Sequence, residues 1–234
     1  MRQVFLDTET TGLNPEAGDR IVEIGCVEML NRRLSGCNLH FYVSPQRPNH
    51  EDAFKVHGLS DEFLADKPEF ATIADELLDF LAGAEVIIHN AEFDVGFLDS
   101  ELERIGKPRF ESFVARVTDS LGMAREMFPG KSNSLDSLCK RLEVDNTSRS
   151  LHGALLDAGL LAEVYIRMTR GQKSLVIEAG ELAEADLAHV VVDFSTLALP
   201  VIEASEDELV AHEIVLTELD KACRGKTVWR AVLA

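Results

Sequence analysis

The apolar run Val4-Phe5-Leu6 leads straight into Asp7-Thr8-Glu9-Thr10-Thr11-Gly12, and no other stretch constrains the fold as tightly. An uninterrupted apolar run of this length reads as a central strand buried on both faces. Side chains alternate along a strand, so Asp7 and Glu9 share a face. Two carboxylates side by side on a buried strand repel each other and are costly to desolvate. A cation between them relieves both penalties. Gly12 then lets the backbone turn. In isolation, Asp-x-Glu reads better as two strand-end polar residues facing water, so the rest of the chain has to decide.

Further along, Arg20–Val27 and Leu39–Val43 read as a second and third strand. Pro15 and Gly18 in the Leu13–Asp19 loop suit a hairpin-like connection between the first two. Three strands before any long helix predict an antiparallel meander joined to later α/β units, hence a mixed sheet. Ser60-Asp61-Glu62 marks a helix start, and Phe70, Ile73, Leu77, Leu78 and Leu81 recur at helical spacing within Glu69–Leu81. His57 beside Gly58 looks by itself like a surface-loop histidine. The strand Ala84–His89 feeds Asn90-Ala91-Glu92-Phe93-Asp94, and the helix Ala91–Ile105 places Asp94 on one stripe with Leu98, Glu101 and Ile105. An Asp in the first turn suits the helix dipole, but one facing the core also asks for a partner. His89 and Asn90 read as hydrogen-bonding residues of the strand-to-helix turn. Ser112–Thr118 is a fifth strand with Asp119-Ser120 as a helix cap, and Ser134 opens a short helix through Leu142. Leu151-His152-Gly153-Ala154-Leu155-Leu156-Asp157 opens a helix running to about Thr169, with Asp157 on its core side and His152 near its entrance.

The remainder differs in character. Residues 171–199 lack a clean period and read as a linker. Glu206–Cys223 reads as an amphipathic helix capped by Ser205, followed by Val228-Trp229-Arg230. A short unit with one apolar face cannot build its own core, so it docks either on the first domain or on a partner, and a partner is the reading favoured. The organisation is therefore residues 1–170 as one domain, 171–199 as a linker and 200–234 as a tail.

Composition excludes several classes. No run approaches a membrane-spanning length, and no basic segment followed by an apolar stretch opens the chain, so a cytoplasmic protein is expected. The four cysteines are scattered without Cys-x-x-Cys spacing, which argues against a zinc site. A net charge of −18 argues against gripping nucleic acid through a broad basic surface. Any nucleic-acid substrate would need metal ions to offset charge locally and a partner to hold the polymer.

Asp7, Glu9, Asp94 and Asp157, with His152 nearby, come from one strand and two helices that could converge at one sheet edge. Such oxygen donors suit hard divalent cations, magnesium in particular. Two ions about 3.5–4 Å apart clamp the attacking and leaving oxygens of a phosphoryl displacement. An imidazole titrating near neutrality can accept the proton. Metal-assisted phosphodiester hydrolysis is a coherent use of these residues if they meet in space.

The three motifs Asp7–Gly12, His89–Asp94 and His152–Asp157 closely resemble, in order and spacing, those of the DEDDh family of 3′→5′ exonucleases. The implied fold is ribonuclease H-like, a mixed five-stranded sheet flanked by helices. Met127–Asp136, Glu208–Glu213 and Val228–Ala231 extend the resemblance to the proofreading branch attached to bacterial replicative DNA polymerases. The resemblance implies that Asp7, Glu9, Asp94 and Asp157 bind two magnesium ions, with manganese able to substitute. It further implies that His152 is the general base and that Glu9, Asp52, His57 and Asp157 contact the terminal nucleotide. Residues 200–234 would anchor the polymerase (alpha) subunit. The branch's sliding-clamp motif, Gln-x-x-aliphatic-x-Phe, survives only as Gln172-Lys173-Ser174-Leu175-Val176-Ile177, and loss of the aromatic anchor implies a weak clamp contact. A theta-type stabilising subunit is not assigned. Competing readings are a free-standing DEDDh ribonuclease trimming RNA, which has no need of the tail, and a polymerase–clamp scaffold, against which the intact carboxylates and His152 speak.

Overall fold

Strand β1 (Arg2–Thr10) is the middle of a five-stranded sheet. The structure is a computed structural model that describes residues 2–147, 151–170 and 204–223. The chain divides into two compact units, Met1–Val176 and Ile177–Ala234. In the first unit β2 (Ile21–Leu30) pairs antiparallel with β1, and β3 (Arg33–Tyr42) antiparallel with β2. On the other side β4 (Glu85–Ile88) runs parallel to β1, and β5 (Arg116–Asp119) parallel to β4. The order β3-β2-β1-β4-β5 is the mixed, ribonuclease H-like sheet expected.

The alternation along β1 builds two cores. Val4 and Leu6 face α3 (Phe70–Leu81) and α4 (Ala91–Arg104), among Phe70, Leu77, Phe97 and Leu98. Phe5 points to the opposite face, toward α6 (Leu135–Leu142) and α7 (Ala154–Met168), among Leu138, Leu161 and Val164. Every one of those residues is buried. The same parity sends Asp7 and Glu9 to the α7 face and Thr8 to the α4 face. Glu101 of α4 grips the start of β2 through a bidentate pair with Arg20 at 2.6 and 2.7 Å. With Glu101 almost fully buried, removal of either partner would strand a charge.

Three elements depart from the sequence expectation. β3 begins at Arg33 rather than Leu39, because Asn31 and Arg32 both adopt positive φ and close a two-residue hairpin. Its first six residues are exposed, so no hydrophobic alternation announces them. The segment before Arg116 is not strand but a 3-10 turn, Phe110–Ser112, which buries Phe110. Two short helices precede α3: α1 (Glu51–His57) and α2 (Asp61–Ala65). Ser60 caps α2 as expected, accepting from Phe63 N. α5 (Ser120–Met127) is capped by Asp119.

One glycine decides how close α7 comes to the sheet. Gly25 pairs with Asp7 in the β1–β2 register. A Cβ on Gly25 would sit 2.2 Å from the Ala154 carbonyl carbon and from the Leu155 nitrogen. The first turn of α7 therefore rests on bare backbone directly beside Asp7. In the second unit, α8 (Glu206–Cys223) opens with a reciprocal capping box, Ser205 Oγ accepting from Glu208 N while the Glu208 carboxylate accepts from Ser205 N at 2.8 Å. Leu209, Val210, Ile214 and Leu219 of α8 are exposed, whereas Leu216 is buried.

Gly25→Ala is expected to destabilise the chain by about 3 kcal/mol or more, because the clash is with helix backbone rather than with a movable side chain. Thermal unfolding of the full chain checks this, and an unchanged midpoint would refute the close-approach argument.

Candidate active site

At the C-terminal end of β1, three separated segments meet. Asp7, Glu9, Asp94, His152 and Asp157 line one cleft of about 250 Å³, together with Thr8, His89, Phe93 and the N-terminal turn of α6, Ser134-Leu135-Asp136. Asp7 and Glu9 arrive on β1, Asp94 on the first turn of α4 from one face, and Asp157 on the first turn of α7 from the other. Ligand atoms of Glu9, His152 and Asp157 lie within 4.8 Å of one another. His152 Nδ1 is 3.7 Å from Asp157 Oδ2, with the imidazole about half exposed and the carboxylate buried.

Electrostatics sets this cleft apart. Among the described residues that line it there is no lysine or arginine. Burial pushes Asp94 up to about 7, although the Thr8 hydroxyl and amide work against the shift. The hydroxyl donates to Asp94 Oδ1 at 2.6 Å. A cluster of carboxylates converging on one cleft, all offering oxygen donors, fits a hard divalent cation.

The walls are held by interactions the sequence reading did not foresee. Thr8, to which the sequence reading gave no role, orients Asp94. Asp119 was expected to cap α5 alone. Its Oδ1 also accepts from Asn90 N and Ala91 N at 3.0 and 3.4 Å, so one carboxylate caps both α4 and α5. Asn90 contributes a left-handed backbone (φ 71°) and no side-chain cap. His89 does not bond the turn either: Nε2 donates to the Asn133 carbonyl at 3.0 Å, and Nδ1 lies 2.9 Å from Ser120 Oγ. It ties the α6 wall of the cleft to β4. No local pattern announces these contacts, because each joins segments about thirty or more residues apart.

Asp52 and His57 lie elsewhere. Asp52 lines a neighbouring cavity of about 500 Å³ with Gly12, Leu13, Asn14, Asp19, His50, Ala53 and Val56. His57 is not among the side chains lining either space. It is buried at the end of α1, contrary to its surface-loop appearance, with Nδ1 accepting from Leu59 N at 3.0 Å. Burial lowers its pKa, against the pull of the Thr10 carbonyl. The helix is nevertheless coupled to the site: Val56 O accepts from His152 N at 3.1 Å, and a Cβ on Gly58 would meet Leu151 Cδ1 at 2.6 Å.

Comparison with known proteins adds an independent line. The Exonuclease family model (RNase_T) matches residues 4–165. Proteins named DNA polymerase III subunit epsilon are 51% identical in Salmonella typhimurium and 50% in Escherichia coli, each alignment covering 98% of both chains. The homologue of that name from Haemophilus influenzae is 47% identical, over 97% of this chain and 94% of its own. Among solved structures, exonuclease X in complex with 5′-overhanging duplex DNA is 25% identical with a TM-score of 0.56, covering 73% of this chain and 92% of its own. The nuclease domain of 3′hExo, a DEDDh family member bound to rAMP, shares the fold at a TM-score of 0.64 and 16% identity, with the same coverage.

In EDTA, Asp94 holds a proton in the folded chain up to about 7, whereas in the unfolded chain it ionises near the ordinary 3.8. The folded state binds more protons between those values, so this group's contribution to stability falls as pH rises from about 4 through about 7. Asp94→Asn is expected to remove that component, and added magnesium to flatten it in the wild type. Denaturation midpoints of both proteins across this range check the sign; an identical slope in the variant would refute it.

Proposed function

The chain belongs to the exonuclease family matched over residues 4–165 and, within it, to the DNA polymerase III epsilon subunits, and from that premise we propose that it is a 3′→5′ exonuclease proofreading for a bacterial replicative DNA polymerase. It removes misincorporated 3′-terminal nucleotides as nucleoside monophosphates by metal-dependent phosphodiester hydrolysis. The observation that carries this reading is the convergence of Asp7, Glu9, Asp94, Asp157 and His152 on a single cleft from three separated segments.

The family implies divalent metal ions, and the donor set of the cleft suits them. Asp7, Glu9, Asp94 and Asp157 would hold two magnesium ions, or manganese in their place. Bound there, the ions would supply Lewis-acid activation of water and neutralise charge on the attacking and leaving oxygens. His152, half exposed at the cleft mouth, accepts the proton of the attacking water on its imidazole and passes it to solvent. Thr8 holds Asp94 in orientation. Asp52, from the neighbouring cavity, acts with Glu9 and Asp157 to bind the terminal nucleotide; His57, assigned to the same role by the family resemblance, is buried at the end of α1 and lines neither space.

Outside the catalytic unit, residues 200–234 bind the polymerase subunit, with the exposed apolar residues of α8 as the described part of that surface. The weak clamp contact at Gln172–Ile177 lies outside the described residues, as do residues 148–150 just before the third motif. No helix among the described residues is long and apolar enough to cross a membrane.

A 5′-labelled single-stranded DNA oligonucleotide is expected to shorten from its 3′ end in magnesium and to stay intact in EDTA, with an RNA of the same sequence cut more slowly. Faster cutting of RNA would favour the ribonuclease reading. His152→Ala should keep the fold and slow hydrolysis by about 10²–10⁴; a change of less than a few-fold removes the general-base role. Truncation after Arg170 should leave hydrolysis intact and abolish capture by the polymerase subunit. Loss of hydrolysis on truncation would place the tail within the catalytic unit.

A further inference from the structure

We infer that Asp19 is a positioning residue for the terminal nucleotide, a carboxylate that fixes the spacing between the two walls of the Asp52 cavity; the inference rests on the function proposed above. Asp19 is buried, with its side chain only 6% exposed, and it takes no part in the metal cleft. Its donors come from two segments distant in sequence, the Thr11–Asn14 loop and the Arg47–His50 stretch. Thr11 Oγ1 donates to Oδ1 at 3.2 Å and Asn14 N to Oδ2 at 3.0 Å, while Arg47 and His50 Nε2 reach Oδ1 at 3.0 and 3.1 Å. Burial works to raise its pKa, but these partners outweigh that and hold it below the ordinary value.

The segments so joined are the walls of one space. Gly12, Leu13 and Asn14 form one side of the cavity of about 500 Å³, and Asp52, Ala53 and Val56 of α1 form the other. That volume suits a nucleoside-sized occupant. The first wall continues directly from Glu9 on β1. The second is tied to His152 through the Val56 carbonyl. Between them, His50 N donates to the Thr11 carbonyl at 2.9 Å, so backbone and side chain act at the same seam. Gly12 has no room for change there: a Cβ would lie 2.4 Å from Asp19 Oδ2 and 2.5 Å from His50 Cδ2. With Asp19 neutral or its donors removed, the seam keeps the backbone bond from His50 N to the Thr11 carbonyl but loses its side-chain ties, and the terminal nucleotide loses its preorganised pocket before any reacting atom is disturbed.

The test measures steady-state hydrolysis of the labelled DNA oligonucleotide by the full chain, with inhibition by thymidine 5′-monophosphate as an independent readout of nucleotide binding. Asp19→Asn and His50→Ala are expected to raise KM and the inhibition constant together by about tenfold, the size of one lost charge-assisted hydrogen bond, with kcat held within about threefold. His50→Gln keeps a donor near the Nε2 position and should restore both constants toward wild type. If Asp19→Asn fails to fold, His50→Ala and Arg47→Met, at less buried positions, carry the same comparison. Unchanged KM and inhibition constants, with only the folded or active fraction reduced, would overturn the inference and leave Asp19 a stability residue. A wild-type chain that neither cleaves the oligonucleotide nor binds the mononucleotide would instead overturn the function on which the inference rests, and the inference with it.

Discussion

Helix α7 lies directly on the backbone of β2 at Gly25, and the geometry of the site depends on that contact. Gly25 is opposite Asp7 in the sheet, so the helix that delivers Asp157 and follows His152 is brought against the strand that delivers Asp7 and Glu9. A side chain at Gly25 would lift the first turn of α7 away. The packing of Phe5 among Leu138, Leu161 and Val164, and its edge-on contact with Tyr165 at 5.4 Å, then holds the rest of the helix down. On the opposite face α4 needs no such glycine at its N-terminus, because its anchor is electrostatic: Glu101 binds Arg20, and Thr8 reaches out to Asp94.

Buried acids elsewhere in the molecule show what an ordinary solution to buried charge looks like. Glu101 faces Arg20, Glu28 faces Arg2, Glu85 faces Arg116, and Asp19 faces Arg47. In the cleft, Asp94 is met by the Thr8 hydroxyl rather than by a guanidinium. The cleft collects Asp7, Glu9, Asp94, Asp136 and Asp157 with no basic side chain longer than histidine among the described residues that line it. Desolvation at Asp94 is expressed as a pKa of about 7, a cost that folding sustains because core packing on both faces of β1 exceeds it. A divalent cation removes the cost, so the same feature that strains the metal-free chain confers affinity for the ion.

Much of this was legible in the residues, and the parts that were not share a cause. The strands β1, β2 and β4 and the helices α3, α4 and α7 carry apolar runs or helical stripes, and their positions follow from local pattern alone. Asp94 among Leu98 and Glu101 was readable as an inward-facing acid for the same reason, and all three are buried. By contrast, α1 has no apolar stripe, and its one buried residue is His57; the Thr10 backbone beside His57 and the bond from His152 N to the Val56 carbonyl join this helix to β1 and the His152 loop. The shared cap at Asp119, the Asn133 tether of His89 and the room required at Gly25 all depend on which segments become neighbours. A glycine demanded by a positive φ leaves traces in turn chemistry, whereas Gly25 sits in ordinary strand backbone and is demanded only by α7.

The charge of the chain bears on how such a site meets its substrate. At −18 the protein repels a polyanion at long range, and the cleft itself is acidic. On the proposed function, affinity for a DNA end would then come from short-range contacts: ions held by the carboxylates, the cavity beside Asp52, and the pocket whose walls Asp19 joins through Arg47 and His50. Contacts of that kind recognise a terminal nucleotide once it is present but do little to recruit the polymer from solution. Recruitment then falls to whatever holds the other end of the strand, and a second unit whose helix exposes Leu209, Val210 and Ile214 has apolar surface suited to such a partner. Weak intrinsic capture is an advantage for an enzyme that must leave correctly paired ends intact, since only an end already delivered and frayed would dwell long enough to be cut.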